Sequence, residues 1–175
     1  MIRELRWNDL EDLVANYYSY YEELKDTPDF GISFYKKKPD YSAEVDWFSG
    51  LFRDITEGNA LAVVAEEDGK VVGLCDVHRV RPGTELDHSA VLGIAIRKGY
   101  RGKGLGGLMM KKVMELSKGK FEILKLEVLS VNTRAIDLYR RIGFVEYGNF
   151  PKAIKRGDRY YDLIQMYFSL SVATS

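Results

Sequence analysis

The chain has 175 residues, a length expected of a single domain (residues 1–175) that can bury a substantial core. No apolar run approaches the ~18 residues of a membrane span, Met1-Ile-Arg-Glu-Leu-Arg-Trp7 carries no signal-peptide pattern, and the one cysteine, Cys75, excludes an internal disulfide framework. Formal net charge is zero, yet residues 1–58 hold 7 basic against 13 acidic side chains, so an acidic front half faces a basic remainder.

These features predict a cytoplasmic protein with Cys75 as a core residue. Ile2 to Arg6 reads as a first strand. Asn8, with Glu11 three residues on, is the expected N-cap of a first helix running to about Leu24 through Leu10, Leu13, Val14, Tyr17, Tyr18 and Tyr21. Pro28, Gly31 and Pro39 mark a long loop, and Ser42 is the expected cap of a second helix that stops near Gly58. Ala60 to Glu66 and Lys70 to Val80 are strands joined at Asp68-Gly69. After the turn Arg81-Pro-Gly-Thr84, His88 to Ile96 is the next strand.

A helix Leu105–Leu116, a strand Phe121–Leu129 and a helix Thr133–Ile142, closed by Gly143 with Phe144 packing back, come next. Val145 to Phe150 and Arg159 to Leu170 form a closing pair, with Pro151 to Asp158 between them. Short turns make the middle strands antiparallel, and only the strand–helix–strand unit around 92–128 requires a parallel pair. The fold class is α/β (α+β): a mixed, mostly antiparallel sheet of about seven strands flanked by about four helices.

The most informative stretch runs Leu92-Gly-Ile-Ala-Ile96 into Arg101-Gly-Lys-Gly-Leu-Gly106 and a helix. A strand passing through a basic glycine turn into a helix N-terminus points bare N–H groups and the positive end of the helix dipole at a phosphate. Gly102 to Gly107 satisfies the dinucleotide pattern G-x-G-x-x-G, but Arg97-Lys-Gly-Tyr-Arg101 separates strand from glycine, and the preceding strands are hairpins rather than βαβ units. A P-loop fails because Lys103 is followed by Gly104.

The segment instead resembles the GNAT superfamily of acyl-CoA-dependent N-acetyltransferases, whose pyrophosphate loop reads Arg/Gln-x-x-Gly-x-Gly/Ala. Arg101 to Gly106 matches throughout, and Asn132-Thr-Arg-Ala-Ile-Asp-Leu-Tyr139-Arg-Arg-Ile-Gly143-Phe144 matches the family's second motif. The resemblance implies acetyl-CoA as co-substrate, without a metal. Its pyrophosphate would lie on the backbone of Arg101, Gly102, Lys103, Gly104, Leu105 and Gly106, with the Arg101 and Lys103 side chains adding positive charge. Its pantothenate arm would lie along the backbone of Ile94, Ala95 and Ile96 where two strands splay, with Asn132 bonding the arm or capping its helix.

It also implies transfer of the acetyl group to a primary amine by direct attack, with Tyr139 as general acid to the departing sulfur. The base is open: Asp76 and His78 share a strand face, Asp87 and His88 begin the next strand, and ordered water is the alternative. The acceptor, a small amine or polyamine or a peptide or protein amine, would meet the acidic, aromatic front half. There Tyr17, Tyr21 and Phe34 are the expected contacts, although Tyr17, Tyr18 and Tyr21 equally fit a core-facing helical stripe. A catalytically silent acyl-CoA-binding sensor or scaffold is the alternative function. Neither nucleic acid nor membrane is an expected partner, since the basic 97–120 stretch has no interleaved aromatics beyond Tyr100, and a homodimer is compatible with all of this.

Overall fold

The computed structural model describes residues 1–170; the last five residues of the expected domain lie outside the described residues. The strands are β1 (Ile2–Glu4), β2 (Ala60–Glu67), β3 (Lys70–Arg79), β4 (Ser89–Ile96), β5 (Ile123–Leu129), β6 (Val145–Arg156) and β7 (Arg159–Ser169). The helices are α1 (Leu10–Asp26), α2 (Tyr41–Thr56), α3 (Leu105–Ser117) and α4 (Thr133–Ile142). The strands form one sheet in the order β1-β2-β3-β4-β5-β7-β6, with β4–β5 the parallel pair and the others antiparallel. The α/β architecture expected from the sequence is thus the one adopted.

Strand alternation sends successive side chains to opposite faces. On β2, Val63 joins the core formed with Met109, Met110 and Val113 of α3, while its neighbour Val64 joins Leu13 of α1 and Phe48 of α2. Helices α3 and α4 therefore cover one face, where Ile136 and Tyr139 enter the same core as Leu105 and Met109. Helices α1 and α2 cover the other.

Three local expectations are corrected. Asn8 does not cap α1: residues 7–9 form a 3-10 turn, and buried Asp9 takes the backbone N–H of Arg6 at 2.7 Å and two guanidinium nitrogens of Arg3 at 2.8 and 2.9 Å. Helix α1 then runs to Asp26 rather than Leu24. Ser42 does not cap α2, because Asp40 accepts from the Ala43 N–H at 2.9 Å two residues earlier. Residues 151–158 are not a loop. Strand β6 continues to Arg156 with two register irregularities, and the turn is Gly157-Asp158. Pro151 is absorbed beside an irregularity at Lys152, whose φ is +54° and whose N–H is held by Asp162 at 2.8 Å.

The sheet opens where the donor would lie. β4 pairs with β5 only through Ser89–Val91 against Ile123–Lys125, whereas β5 stays paired with β7 along its whole length. Beyond Val91, the β5-facing edge of β4 has no strand partner.

Candidate active site

A cleft of about 490 Å³ follows this open edge, from the glycine turn to Asn132 and Tyr139. Backbone direction alternates along a strand. The N–H of Arg97 bonds the carbonyl of Val72 on β3 at 2.8 Å, so Ile96 and Ile94 turn their backbone groups to the open side. One is already used: the Ile96 carbonyl accepts from Arg101 Nε at 2.7 Å. Ala95 turns its backbone toward β3, where it pairs with Leu74. The side chains of Ile94 and Ile96 pack in the α3 core, beside Gly106.

At the cleft's upper end, Gly102 and Gly104 have φ of +79° and +82°, a region that L side chains rarely adopt. Gly104 precedes α3, and no side chain caps this terminus. The first N–H groups of α3 are therefore bare, as an anion site requires. A Cβ on Gly102 would lie 2.3 Å from the Arg134 guanidinium, so Arg134 lies across the turn. A Cβ on Gly106 would lie 3.3 Å from Leu138, so a small residue there lets α3 approach α4. Leu105 is buried, and Lys103 reaches over the Tyr100 ring at 5.2 Å.

Arg101 is committed elsewhere. Its guanidinium pairs with both carboxylate oxygens of Glu23 on α1 and lies 4.8 Å over the Phe30 ring. The residue that the loop motif makes most prominent thus ties the loop to α1, while Arg134 supplies a cation over the turn. Arg134 was not singled out from sequence, although a signal exists: a cation in the first turn of a helix opposes the helix dipole and calls for a compensating anion.

Asn132 accepts from the Ala135 N–H at 3.3 Å and so caps α4. Its Nδ2 faces Gly31, where a Cβ would lie 2.3 Å away. Cap and cleft roles are therefore compatible. The Tyr139 ring packs 6.2 Å from Phe144 and is 7% exposed, and its hydroxyl makes no hydrogen bond among the described residues. Among the described residues no fully buried side-chain polar atom lacks a partner, so this hydroxyl opens to the cleft that Tyr139 lines. Burial raises the phenol pKa, which keeps the proton on oxygen at neutral pH.

A second cavity, of about 620 Å³, lies on the α1–α2 face. Ala95 lines both cavities, so they meet at β4. Tyr17, Tyr20, Tyr35 and Trp47 wall the second cavity, with Leu74 as part of its floor. Of the three aromatic residues expected to meet an acceptor, Tyr17 lines it. Tyr21 and Phe34 stand behind it in a ring cluster, at 5.4 Å from Tyr17 to Tyr21 and 4.9 Å from Tyr21 to Phe34.

Asp76 and His78 share the α1–α2 face, with Nε2 and Oδ2 3.0 Å apart. Asp76 lies opposite Gly93 and His78 opposite Val91, further along β3 than Leu74, so the pair sits beside the cavity rather than in its lining. The hydrogen bond to the Asp76 carboxylate raises the His78 pKa. Asp87 instead holds the Gly83 N–H at 3.1 Å in a turn, and the carbonyl of His88 receives the Glu122 N–H at 2.8 Å.

Comparison with known proteins agrees with this geometry. The sequence model of the acetyltransferase (GNAT) family matches residues 7–144. L-methionine sulfoximine/L-methionine sulfone acetyltransferase of Pseudomonas paraeruginosa is 26% identical over 130 residues, 74% of each chain. The crystal structure of ribosomal-protein-alanine N-acetyltransferase from Brucella melitensis superposes with a TM-score of 0.83 at 26% identity, covering 97% of this chain and 99% of that one. A GNAT phosphinothricin acetyltransferase from Sinorhizobium meliloti, in complex with AcCoA, shares the fold with a TM-score of 0.81 at 23% identity, covering 100% and 91%. With its glycine turn at an uncapped helix, its splayed β4 and a family match spanning most of its length, the chain belongs to the acetyltransferase (GNAT) family.

Proposed function

We propose that this protein transfers the acetyl group of acetyl-CoA to a primary amine. One observation carries the reading: a single cleft joins the bare N-terminus of α3, the unpartnered edge of β4 and the free hydroxyl of Tyr139. These suit, in order, a pyrophosphate, a peptide-like arm and a departing sulfur. The named activities of its relatives, acetyltransferases of small molecules and of a ribosomal protein, support the same reaction class.

The amine enters from the second cavity, gives up its ammonium proton to solvent, and attacks the thioester carbon near Ala95 as the neutral base. A C–N bond forms, the C–S bond breaks, and the electron pair leaves on sulfur. Tyr139 gives its proton to that sulfur, and solvent returns one to the phenolate. Its pKa, raised by burial, makes Tyr139 a poor acid towards water. A thiolate forming in the same dry cleft supplies the drive. The proton lost by the nitrogen passes to the Asp76–His78 pair through water, or to water directly. The glycine turn and Arg134 hold the phosphates and position the thioester. An unpaired backbone N–H on the open edge of β4 stabilises the oxyanion.

The test is release of free CoA thiol from acetyl-CoA by purified protein across a panel of small amines and peptides, with mass detection of the acetylated product. Amine-dependent release is expected. Tight CoA binding without release for any amine would favour the silent sensor instead.

A further inference from the structure

Glu44 is the buried acid that the reaction above leaves unused. It is 6% exposed, lines the 620 Å³ cavity, and its carboxylate makes no hydrogen bond or ion pair among the described residues. It stands in the first turn of α2, whose dipole favours a negative charge but supplies no counter-ion. The other buried acid of the described residues, Asp9, is treated differently: it is held by Arg3 and by a backbone N–H. The unpartnered Glu44 carboxylate opens to the cavity, and a bound cation would offset the cost of its partial desolvation.

The walls suit a cation as well. Tyr17, Tyr20, Tyr35 and Trp47 line the same space, and aromatic faces attract organic ammonium groups by their quadrupoles. Leu13 and Leu74 add apolar surface for the rest of the ligand. Asn16 is a weak competing anchor, since its Oδ1 already accepts from Arg97 Nη1 at 3.5 Å while its Nδ2 donates to the Val71 carbonyl at 2.8 Å. Lys36 and Lys37, exposed on the loop side of the cavity, disfavour a second positive charge.

We propose that this cavity binds an organic monoammonium ion with an apolar or aromatic body, its charge held by Glu44 and its body enclosed by Tyr17, Tyr20, Tyr35 and Trp47. Burial pushes the Glu44 carboxyl above its ordinary range, as an empty cation site would. Resting on the acetyltransferase reading, the proposal names the acceptor class: a hydrophobic amine rather than a polyamine. Acetylation turns the ammonium into a neutral amide, which breaks the contact with Glu44 and releases the product.

The experiment uses a ligand that cannot react. Benzyltrimethylammonium has no N–H to acetylate, so calorimetric titration into the intact protein reads the site apart from turnover. It should bind with one-to-one stoichiometry, at least about tenfold tighter than neutral N,N-dimethylbenzamide and tighter than putrescine. Glu44→Gln should weaken it by at least about tenfold while CoA affinity stays unchanged. The wild-type comparison of cation with neutral amide stands even if Glu44→Gln does not fold. No binding, equal binding of cation and amide, tighter binding of phenylacetate through the lysines, or an unaffected Glu44→Gln would each overturn the proposal. Thiol release with the amine panel is scored separately, so cation binding without turnover would remove the acetyltransferase reading and leave this site standing.

Discussion

Glu23 on α1 takes both terminal nitrogens of Arg101 on the glycine loop, one of them at 2.9 Å, across 78 residues of chain. The contact anchors the glycine turn to the helix that walls the second cavity, and Arg101 Nε secures the end of β4 in the same stroke.

From this follows a prediction that separates two roles for Arg101. If the guanidinium positions the loop, Glu23→Gln and Arg101→Ala both weaken CoA binding, by about tenfold, because the bare N–H groups lose their fixed aim. If it served chiefly as a phosphate ligand, Glu23→Gln would free it and tighten CoA binding. Glu23 is 9% exposed at its side chain and Arg101 29%, so loss of the pair should also destabilise by about 1–3 kcal/mol, less than a fully buried pair. Calorimetric titration of CoA and urea unfolding of both variants decide the matter.

Tyr139→Phe removes one oxygen from a ring that otherwise packs on Phe144. The hydroxyl has no protein partner among the described residues, so its loss leaves nothing unsatisfied. Stability should change little and CoA affinity hardly at all. The turnover rate kcat should fall by at least about tenfold as the sulfur departs without a proton donor. Single-turnover thiol release measures it, and an unchanged rate would remove Tyr139 from the chemistry.

The sequence made the donor side legible because that side is built from local backbone. A strand, a glycine turn and a helix start are contiguous, and their residue types are dictated by φ angles and by bare N–H groups. The helix from Thr133 with Gly143 as its left-handed end was legible for the same reason. The acceptor side was not, because Glu44, Tyr17 and Ala95 meet only after α1, α2 and β4 pack. Glu44 reads in sequence as an ordinary helix acid. Arg101 misled in the opposite sense, since nothing local to the loop reveals that Glu23 will claim it. The helix starts slipped by one or two residues: the Asp9 carboxylate turns back to Arg3 and the Arg6 N–H and leaves α1 without a side-chain cap, while Asp40 takes the Ala43 N–H ahead of Ser42.

His78 gives a pH signature. Its pKa is raised by the hydrogen bond to the Asp76 carboxylate, so the folded value lies above the unfolded value of about 6.5. The charged pair therefore stabilises the fold fully below about pH 6.5 and loses that stabilisation as pH rises through the folded pKa. With the imidazole side chain 41% exposed, the effect is small. His78→Gln should flatten the slope of the urea midpoint above about pH 6.5. If the pair also receives the amine proton, kcat/KM of the wild type rises through the same pKa, and His78→Gln loses that inflection. An inflection that survives the substitution assigns the proton to water.

Arg156 controls the segment between α1 and α2. Its guanidinium donates to the carbonyls of Pro28, Phe30 and Ile32, at 2.8, 2.9 and 2.8 Å, while Tyr161 bonds Asp29 at 2.7 Å. Phe30, Gly31 and Ile32 form one wall of the donor cleft, and Tyr35 further along the same segment walls the second cavity. One side chain on β6 thus holds a strap that both cavities share. The three bonds are charge-assisted, each worth about 1.5–3 kcal/mol where well shielded, and their loss falls on the strap rather than on the core. Arg156→Ala should leave the global unfolding midpoint nearly unchanged but speed amide exchange across residues 28–37. Gly31 should then cease to confine Asn132, and the Tyr35 wall should loosen. KM for both acetyl-CoA and amine would rise by about three- to tenfold, with a smaller fall in kcat, because positioning is lost while the reacting groups remain. A variant whose exchange pattern stayed that of the wild type while KM rose would show that Arg156 acts on ligand directly and not through the strap.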